Sequence, residues 1–310
     1  MMNTDAPTVS LVIPVFNEEQ SLGELYERVT ASLEGLGQRY EVIAVDDGSR
    51  DGSLALLRSF HERDPRWRVV RLSRNFGQSA AVYAGFSRAR GEYMLMIDAD
   101  LQVFPEDIPL LYEKLANGCD MVSGWRVNRH DNLFRRVMSR LLNRYTERIT
   151  GFTIHDHGCS LKGFRRSLME HMLQFSHRCR YLPVDAAMLG GRVEEVEVRH
   201  VERRYGTSKY SLFKLFRTGF DMVTTLTILP LQLVSILGGF FALAGFLMGV
   251  HVLYVRLVQG QMLNLEAVFA AFAFLGGVQM AVMGLMCEYI GRIYIESQRK
   301  PLFIIQEELE

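Results

Sequence analysis

The chain has 310 residues, 48% of them hydrophobic, and its 35 basic and 35 acidic residues give a formal net charge of zero. This balance excludes a general electrostatic attraction to nucleic acid, so no nucleic acid partner is expected. The length allows one sizeable domain and a smaller unit.

The N-terminal part of the chain alternates short β-rich runs with stretches of helical spacing. The predicted strands are Val9–Val15, Glu41–Val45, Arg68–Leu72, Tyr93–Ile97 and Asp120–Ser123. The predicted helices are Glu18–Leu36, Asp51–His61, Gly77–Arg90 and Pro105–Asn117. This alternation predicts an α/β fold with a largely parallel sheet covered on both faces. Ligands of such sheets bind at the carboxyl ends of the strands.

Acidic groups occur at the carboxyl ends of three of these strands. They lie in Pro14–Glu18 at the first strand, in Asp46–Ser49 at the second and in Asp98–Asp100 at the fourth. The motifs GxGxxG and GxxxxGK[ST] do not occur, which disfavours a dehydrogenase and a P-loop enzyme. An acidic edge suits recognition of a nucleoside and a divalent cation that bridges its diphosphate. Of Asp46 and Asp47, one can cap a turn while the other contacts the ligand.

Asp98 and Asp100 are the strongest candidates for metal binding. They are two residues apart, which in an extended chain directs both side chains the same way. They can hold one Mg²⁺, which takes few protein oxygens and shares its shell with phosphates and water. A solvated turn in which Asp100 caps the next helix explains the spacing equally well. The acidic groups at the other strand ends favour the metal.

Two long segments without a charged residue predict membrane spans at about Leu231–Leu257 and Ala267–Ile290. Each exceeds the ~20 apolar residues that cross a bilayer. A pair of buried core helices is the alternative, but soluble helices of this length normally have a polar face. The loop between the spans has no Lys or Arg, whereas basic residues flank their outer ends. The positive-inside rule therefore places both chain termini in the cytoplasm.

A basic segment, Glu202–Tyr210, precedes the apolar part of the chain. It can anchor on anionic lipid headgroups, or close as a mobile loop over phosphates, and the two roles are compatible. The residues that follow it predict an amphipathic helix at the membrane interface. Arginines also crowd the segment after the fifth strand, where one or two, such as Arg126 or Arg140, can hold an anionic substrate bidentately.

Five motifs occur in a fixed order along the chain. They are VIPVFNEE, VDDGS, RNFGQ, DADLQ and RxxGxSKY, which ends at Tyr210. This set, followed by two membrane segments, resembles the family 2 glycosyltransferases, and more narrowly the polyprenyl-phosphate glycosyltransferases, with a GT-A (Rossmann-like) fold. The resemblance covers Val9 to about Pro301. It implies a cytoplasmic GT-A domain (1–207), a juxtamembrane amphipathic helix (208–229), a two-helix transmembrane domain (230–291) and a cytoplasmic C-terminal tail (292–310).

The resemblance also implies roles for matching positions. Residues expected to bind the nucleotide sugar are Pro14, Phe16, Glu18, Asp46, Asp98 and Ser208. Residues expected to bind Mg²⁺ or Mn²⁺ beside the diphosphate are Asp100 and Gln102. Residues expected to receive the acceptor phosphate are Arg126 or Arg140. Residues expected to carry the catalytic step are Asp98, Asp100, Arg203 and Lys209. Three residues, Arg203, Ser208 and Lys209, are expected to close over the donor and acceptor phosphates.

The reaction that the resemblance implies moves a sugar, with inversion, from a nucleotide diphosphate to a polyprenyl phosphate at the inner membrane. The acceptor needs no strong base, because a phosphate monoester with a second pKa of about 6 is already anionic at neutral pH. Asp156–Cys159, Ser208–Ser211 and Glu288–Tyr294 are most similar to members that transfer 4-deoxy-4-formamido-L-arabinose to undecaprenyl phosphate for lipid A or envelope glycan modification. Glucose, mannose and amino-sugar donors stay open. Membrane lipids and a tetrameric homo-oligomer are further expected partners.

Two rival functions are disfavoured by the sequence. A processive polysaccharide synthase would carry a QxxRW motif after the acidic region, whereas the Arg66–Trp67 pair precedes Asp98. A membrane scaffold or lipid-translocation partner that had lost catalysis would have lost its metal carboxylates. Asp98 and Asp100 are both present.

Overall fold

The computed structural model describes residues 6–126, 147, 155–156, 158–174, 182–201, 229–259, 265–298 and 300–310. The chain divides into two compact units. The first comprises Met1–Lys209 together with Pro301–Glu310, and the second comprises Tyr210–Lys300.

The first unit contains, among its described residues, a sheet of eight strands. The strands are β1 (Val9–Val15), β2 (Tyr40–Asp46), β3 (Trp67–Leu72), β4 (Tyr93–Met96), β5 (Met121–Arg126), β6 (Lys162–Arg165), β7 (Val193–Val198) and β8 (Ile305–Leu309). The helices are α1 (Glu19–Gly35), α2 (Ser53–Arg63), α3 (Gln78–Arg88), α4 (Ile108–Ala116, after a 3-10 turn at Pro105–Asp107), α5 (Arg166–Leu173) and α6 (Leu182–Met188). The five predicted strands and four predicted helices are confirmed, with ends shifted by a few residues.

The order of strands along the sheet is β7-β5-β6-β4-β1-β2-β3-β8. Strands β1 to β4 are parallel to their neighbours within that group, and β5 is parallel to β7. Strands β6 and β8 are antiparallel to the strands beside them. The prediction of a largely parallel sheet is therefore confirmed, and its apolar strands need a cover on both faces.

Alternate residues of β1 supply the two apolar cores. Leu11 and Ile13 pack in the cluster that contains the buried face of α1, and Val12 packs in the cluster that contains α3. Gly85 lets α3 approach β1 closely, because a Cβ there would be only 2.3 Å from Cγ1 of Val12. This helix begins at Gln78, at the carboxyl edge of the sheet.

Strand β6 was not predicted, and it inserts antiparallel between β4 and β5. Its sequence, KGFR, has two charged residues in four and no strand-like pattern of its own. It pairs because its apolar Phe164 is fully buried between the neighbouring strands and helices. The register places Lys162 opposite both Met96 and Ser123.

The C-terminal tail also contributes a strand that the sequence did not predict. Strand β8 pairs antiparallel with β3 at the edge of the sheet. Acidic side chains of β8, and Glu310 directly after it, form ion pairs with arginines at 2.7–2.9 Å. The pairs are Arg58–Glu307, Arg88–Glu308, Arg90–Glu310 and Arg68–Glu310. The predicted segment 292–310 is therefore not a separate tail, since its last residues belong to the sheet.

The second unit contains two long helices, α7 (Leu229–Gln259) and α8 (Leu265–Ser297). Both predicted spans lie inside these helices, so their helical structure is confirmed. In the described residues, one stretch, Phe274–Ile295 of α8, is long and apolar enough to cross a bilayer, and α7 has a shorter apolar run, Leu231–Leu247. Large apolar side chains are widely exposed on both helices. The predicted amphipathic helix lies almost entirely outside the described residues.

Candidate active site

The loops that follow β1 and β2 brace each other at the carboxyl edge of the sheet. The Asn17 backbone N–H donates to Oγ of Ser49 at 3.0 Å, and the Arg50 N–H donates to Oδ1 of Asn17 at 2.8 Å. The Glu18 N–H donates to Oγ of Ser53 at 3.0 Å. Asn17 has a φ of 54°, a left-handed conformation that asparagine tolerates better than most residues.

The predicted nucleotide-binding residues of β1 lie at this braced edge. Pro14, Phe16 and Glu18 are all partly exposed, whereas Val15 between them is buried. Pro14 lies in β1, and Phe16 and Glu18 follow it in the braced loop, where Asn17 between them is also exposed. The structure therefore brings Pro14, Phe16 and Glu18 to the place where a ligand of the sheet would bind.

Asp46 is fully buried at the end of β2 and has an unused acceptor. Its Oδ1 accepts the Ser49 N–H at 3.1 Å. Its Oδ2 has no hydrogen-bond partner among the described residues. Nε of Arg71 lies 3.9 Å from this oxygen, at ion-pair distance, and also has no hydrogen-bond partner there. Buried polar atoms are rarely left unsatisfied. This carboxylate therefore suits an N–H donor from a ligand such as a nucleobase, and Arg71 is a neighbour that the sequence analysis missed.

Asp47 has the opposite environment. Its two carboxylate oxygens accept the backbone N–H groups of Phe76 at 2.7 Å and Gly77 at 2.9 Å. Burial raises the pKa of Asp47, and these two hydrogen bonds act against the increase. Asp47 therefore fixes the loop before α3, whereas Asp46 caps the turn through Oδ1 and keeps Oδ2 without a hydrogen-bond partner among the described residues.

Asp98 lies at the centre of the edge, directly beyond β4. Nε2 of Gln78 donates to its Oδ1 at 2.6 Å. Burial and the neighbouring Asp100 carboxylate raise the pKa of Asp98 to about 6, while Lys162 and Arg126 act in the opposite direction. In the sequence Gln78 is only the last residue of the motif RNFGQ, whereas in the structure it orients the first carboxylate.

The segment from Asp98 to Gln102 is a turn rather than the extended chain that the sequence analysis assumed. Leu101 has a φ of 58°, and the Gln102 N–H donates to Oδ1 of Asp100 at 3.2 Å. Ala99 and Leu101 are buried in the core, whereas Asp98, Asp100 and Gln102 are partly exposed. The turn therefore keeps the side chains of Asp98, Asp100 and Gln102 out of the core, while Ala99 and Leu101 pack inside it. The alternative in which Asp100 caps the next helix is wrong, because Phe104 precedes the 3-10 turn.

The residues present fit a hard divalent cation. Two carboxylates and an amide oxygen are the ligands that Mg²⁺ accepts when it keeps water and phosphate in its remaining positions. Throughout the described ranges, no group of three or more His, Cys, Asp or Glu side chains could by itself hold a metal ion. A dedicated all-protein cage is therefore not present in these ranges, and the site suits a metal that arrives with a phosphate ligand.

Arg126 is engaged by the protein itself. Its Nε donates to Oδ2 of Asp156 at 2.6 Å and its Nη2 donates to Oδ1 at 2.9 Å. Next to this pair, Trp125 stacks on His155 with ring centroids 4.6 Å apart, and Nδ1 of His155 lies 2.7 Å from Glu195. An acceptor phosphate at Arg126 would share the guanidinium with Asp156. The other predicted residues, Arg140, Arg203, Ser208 and Lys209, lie outside the described residues.

Comparison with known proteins decides the family. The family model for glycosyl transferase family 2 matches residues 10–173, more than half of the chain. The chain belongs to glycosyl transferase family 2. It is a glycosyltransferase, and the matched residues include the three acidic strand ends described above.

Two sets of relatives cover almost the whole chain. The undecaprenyl-phosphate 4-deoxy-4-formamido-L-arabinose transferase of Pseudomonas paraeruginosa is 45% identical over 302 residues, which are 96% of this chain and 89% of the relative. The protein of the same name from Salmonella paratyphi A is 42% identical over 303 residues, with 96% and 93% covered. The resemblance drawn from the motifs is confirmed.

A solved structure supports the GT-A type of fold. The glucosyl-3-phosphoglycerate synthase of Mycobacterium tuberculosis, solved with Mn²⁺, UDP and phosphoglyceric acid, superposes with a TM-score of 0.54. The match covers 71% of this chain and 77% of the other, at 19% identity. At this identity the likeness concerns the fold alone.

Proposed function

We propose that this family 2 enzyme transfers 4-deoxy-4-formamido-L-arabinose from a UDP donor to undecaprenyl phosphate, with inversion at the anomeric carbon. The observation that carries the proposal is the 45% identity, over 96% of the chain, to relatives of that name. The site is consistent with a nucleotide-sugar donor, because a buried Asp46 oxygen without a hydrogen bond and two partly exposed carboxylates lie at one sheet edge.

Asp100 and Gln102 would hold Mg²⁺ or Mn²⁺. When bound, the cation would neutralise negative charge that develops on the leaving diphosphate. Asp46 would accept a hydrogen bond from the base, and Pro14, Phe16 and Glu18 would border the nucleotide. Asp98, oriented by Gln78, would contact the nucleotide side of the donor.

The acceptor phosphate is anionic at neutral pH, so the protein is not required to remove a proton from it. The remaining task is to place this anion beside the sugar, and we assign it to basic side chains. Arg203, Ser208 and Lys209 would close over the phosphates, and Arg126 or Arg140 would receive the lipid phosphate. Lys209→Ala should then reduce transfer while leaving membrane insertion intact.

The long helices α7 and α8 would cross the bacterial inner membrane, with the catalytic unit and both termini in the cytoplasm. Their exposed apolar side chains support this assignment, since an aqueous surface rarely carries a large apolar patch. The domain limits would be 1–207, 208–229, 230–291 and 292–310, with the end of the last segment in the sheet. The enzyme would assemble as a tetramer, which the mass of the detergent-solubilised complex tests.

A donor panel tests the function directly. The full chain in detergent is incubated with undecaprenyl phosphate, Mn²⁺ and UDP-linked formamido-arabinose, glucose, mannose or an amino sugar, and the lipid product is identified by mass. The proposal expects a formamido-arabinosyl lipid. A product with another sugar would change the donor, and no product with any donor would favour the non-catalytic scaffold or lipid-translocation partner.

A further inference from the structure

Lys162 is a buried cation to which the reaction described above gives no role. It is the first residue of β6 and is 6% exposed. An ammonium group in such a position is costly unless opposite charges and hydrogen bonds compensate it. The groups that compensate Lys162 therefore indicate why a charged residue occurs at this position.

These groups belong to two separate loops of the catalytic edge. Nζ of Lys162 donates to the backbone carbonyl of Cys159. Burial lowers the pKa of Lys162, while Cys159, Asp98 and Asp156 act in the opposite direction. Lys162 is thus bonded to the loop that contains Asp156 and interacts electrostatically with the carboxylate that follows β4.

The strand register explains this position. Lys162 pairs with Met96, the last residue of β4, which precedes Asp98 by two positions. Side chains two apart along an extended chain lie on the same face, so Lys162 is beside the side of the sheet that Asp98 occupies. Met96 and the neighbouring Phe164 belong to the same apolar cluster, which confirms that even-numbered positions here share a face.

Asp98 and Asp156 each have a second partner. Gln78 donates to Asp98 at 2.6 Å, and Arg126 forms a bidentate pair with Asp156. Gln78 is neutral, so the charge of Asp98 is not compensated by it. Lys162 and Arg126 both interact electrostatically with Asp98, and Lys162 is the more deeply buried of these two cations.

We propose that Lys162 is a positioning residue of the transfer reaction, whose buried ammonium group is bonded to the Cys159 carbonyl and acts electrostatically on the Asp98 carboxylate, and so keeps these two groups in a fixed relationship. The inference rests on the proposed function, because Asp98 is assigned there to the donor nucleotide. Small displacements of a positioning group have large effects on binding and rate, since bound geometry must be maintained without reorganisation.

The test measures binding of UDP in the presence of Mn²⁺ by calorimetry, with the full chain in detergent. Lys162→Gln keeps a donor for the Cys159 carbonyl and removes the charge, whereas Lys162→Arg keeps the charge. We expect Lys162→Gln to weaken UDP binding about tenfold with little change in thermal midpoint, and Lys162→Arg to recover most of the loss, as charged neighbours commonly couple by this amount.

Arg68→Gln is the matched control. Arg68 is another buried cation of the sheet, 5% exposed and paired with Glu41 at 2.9 Å, but it lies near the amino end of β3, away from the catalytic edge. Its loss should lower the thermal midpoint and leave UDP affinity unchanged. Lys162→Gln could instead lower the thermal midpoint as much as Arg68→Gln does and leave UDP affinity unchanged. That result would assign Lys162 a purely structural role and overturn the proposal.

A double-mutant cycle separates action through Asp98 from a general effect. In the Asp98→Asn background, Lys162→Gln should add little further loss of UDP affinity. Independent, additive losses would contradict the proposal, as would the same UDP affinity in wild type and Lys162→Gln. The probe is UDP with Mn²⁺, so this result does not depend on which sugar or lipid the donor panel identifies.

Discussion

Asp46 and Asp47 are adjacent in the chain, yet both oxygens of Asp47 accept hydrogen bonds from the protein, whereas only Oδ1 of Asp46 does so among the described residues. Asp47 accepts two backbone N–H groups, from Phe76 and Gly77. Oδ2 of Asp46 is buried and has no hydrogen-bond partner among the described residues, with Nε of Arg71 3.9 Å away. The first carboxylate therefore keeps an acceptor that a ligand could use, while the second anchors the loop.

Exchanging these two carboxylates for amides should have opposite consequences. Asp46→Asn should weaken UDP binding by about tenfold, since a mispaired hydrogen bond typically costs ~1–3 kcal/mol. The stability of the Asp46→Asn variant should be unchanged or slightly higher, because the substitution removes a buried negative charge whose Oδ2 makes no hydrogen bond. Asp47→Asn should destabilise the fold by ~1–3 kcal/mol, because an amide NH₂ would face a backbone N–H. Calorimetry measures the UDP affinity of both variants and thermal unfolding measures their stability, so the two expected effects can be compared directly.

Asp100→Ala should reduce transfer by about 100-fold, the size of effect that follows loss of one group stabilising transition-state charge. Its folding should be intact, because Asp100 is partly exposed. Initial rates over a Mn²⁺ titration measure the change. Glu106→Ala is the control: this nearby carboxylate forms an ion pair with Arg28 at 2.9 Å and should leave the rate as in wild type. Equal rates for wild type and Asp100→Ala would remove Asp100 from the metal site.

Glu194 should make stability depend on pH in the acidic range. Hydrogen bonds from Lys114, Cys119 and Arg192 lower its pKa from 4.5 to about 2. A lowered carboxyl pKa stabilises the folded state above the unfolded pKa, and this contribution is lost as pH falls through 4.5 towards 2. The wild-type thermal midpoint should exceed that of Glu194→Gln near pH 6, and the difference should narrow below pH 4.5. A constant difference from pH 6 to pH 3 would count against the assignment.

Removal of residues 303–310 should destabilise the catalytic unit far more than loss of any exposed pair of β8. The deletion exposes the edge of β3 and takes Glu310 from the buried Arg68. Glu307→Gln, which breaks only the exposed pair with Arg58, should cost ~0.2–1 kcal/mol. Thermal midpoints of the two proteins measure the contrast. A deletion no more damaging than Glu307→Gln would show that β8 is dispensable for the sheet.

The sequence predicted the part of the fold that apolar periodicity encodes. Val9–Val15 was predicted with its observed bounds, because a fully buried parallel strand is a continuous apolar run. Strands β6 and β8 carry no such signal. The segment KGFR forms a strand because β4 and β5 are available for pairing, and IQEEL forms one because β3 and nearby arginines are available. These partners are distant in the sequence, so local patterns do not predict either strand.

The sequence motifs predicted which residues lie at the candidate site, but not how those residues are held there. Asp46, Asp98 and Asp100 were expected at one edge, and the structure places them there. The partners of Asp98 could not be predicted from spacing, because they are distant in the chain. Gln78, 20 positions away in α3, donates a hydrogen bond to Asp98, and Lys162, 64 positions away in β6, interacts with it electrostatically. The turn at Leu101 was missed because a left-handed leucine is uncommon and has no sequence signature.

The order of elements along the chain has a consequence for biosynthesis. Strand β8 belongs to the catalytic sheet, but it follows α7 and α8 in the sequence. The ribosome therefore completes the edge of the sheet only after both long helices have been translated. A nascent or prematurely terminated chain retains an open β3 edge and an Arg68 without Glu310. Such an edge recruits other strands, so incomplete chains present a signal for chaperones and proteases that the finished enzyme conceals.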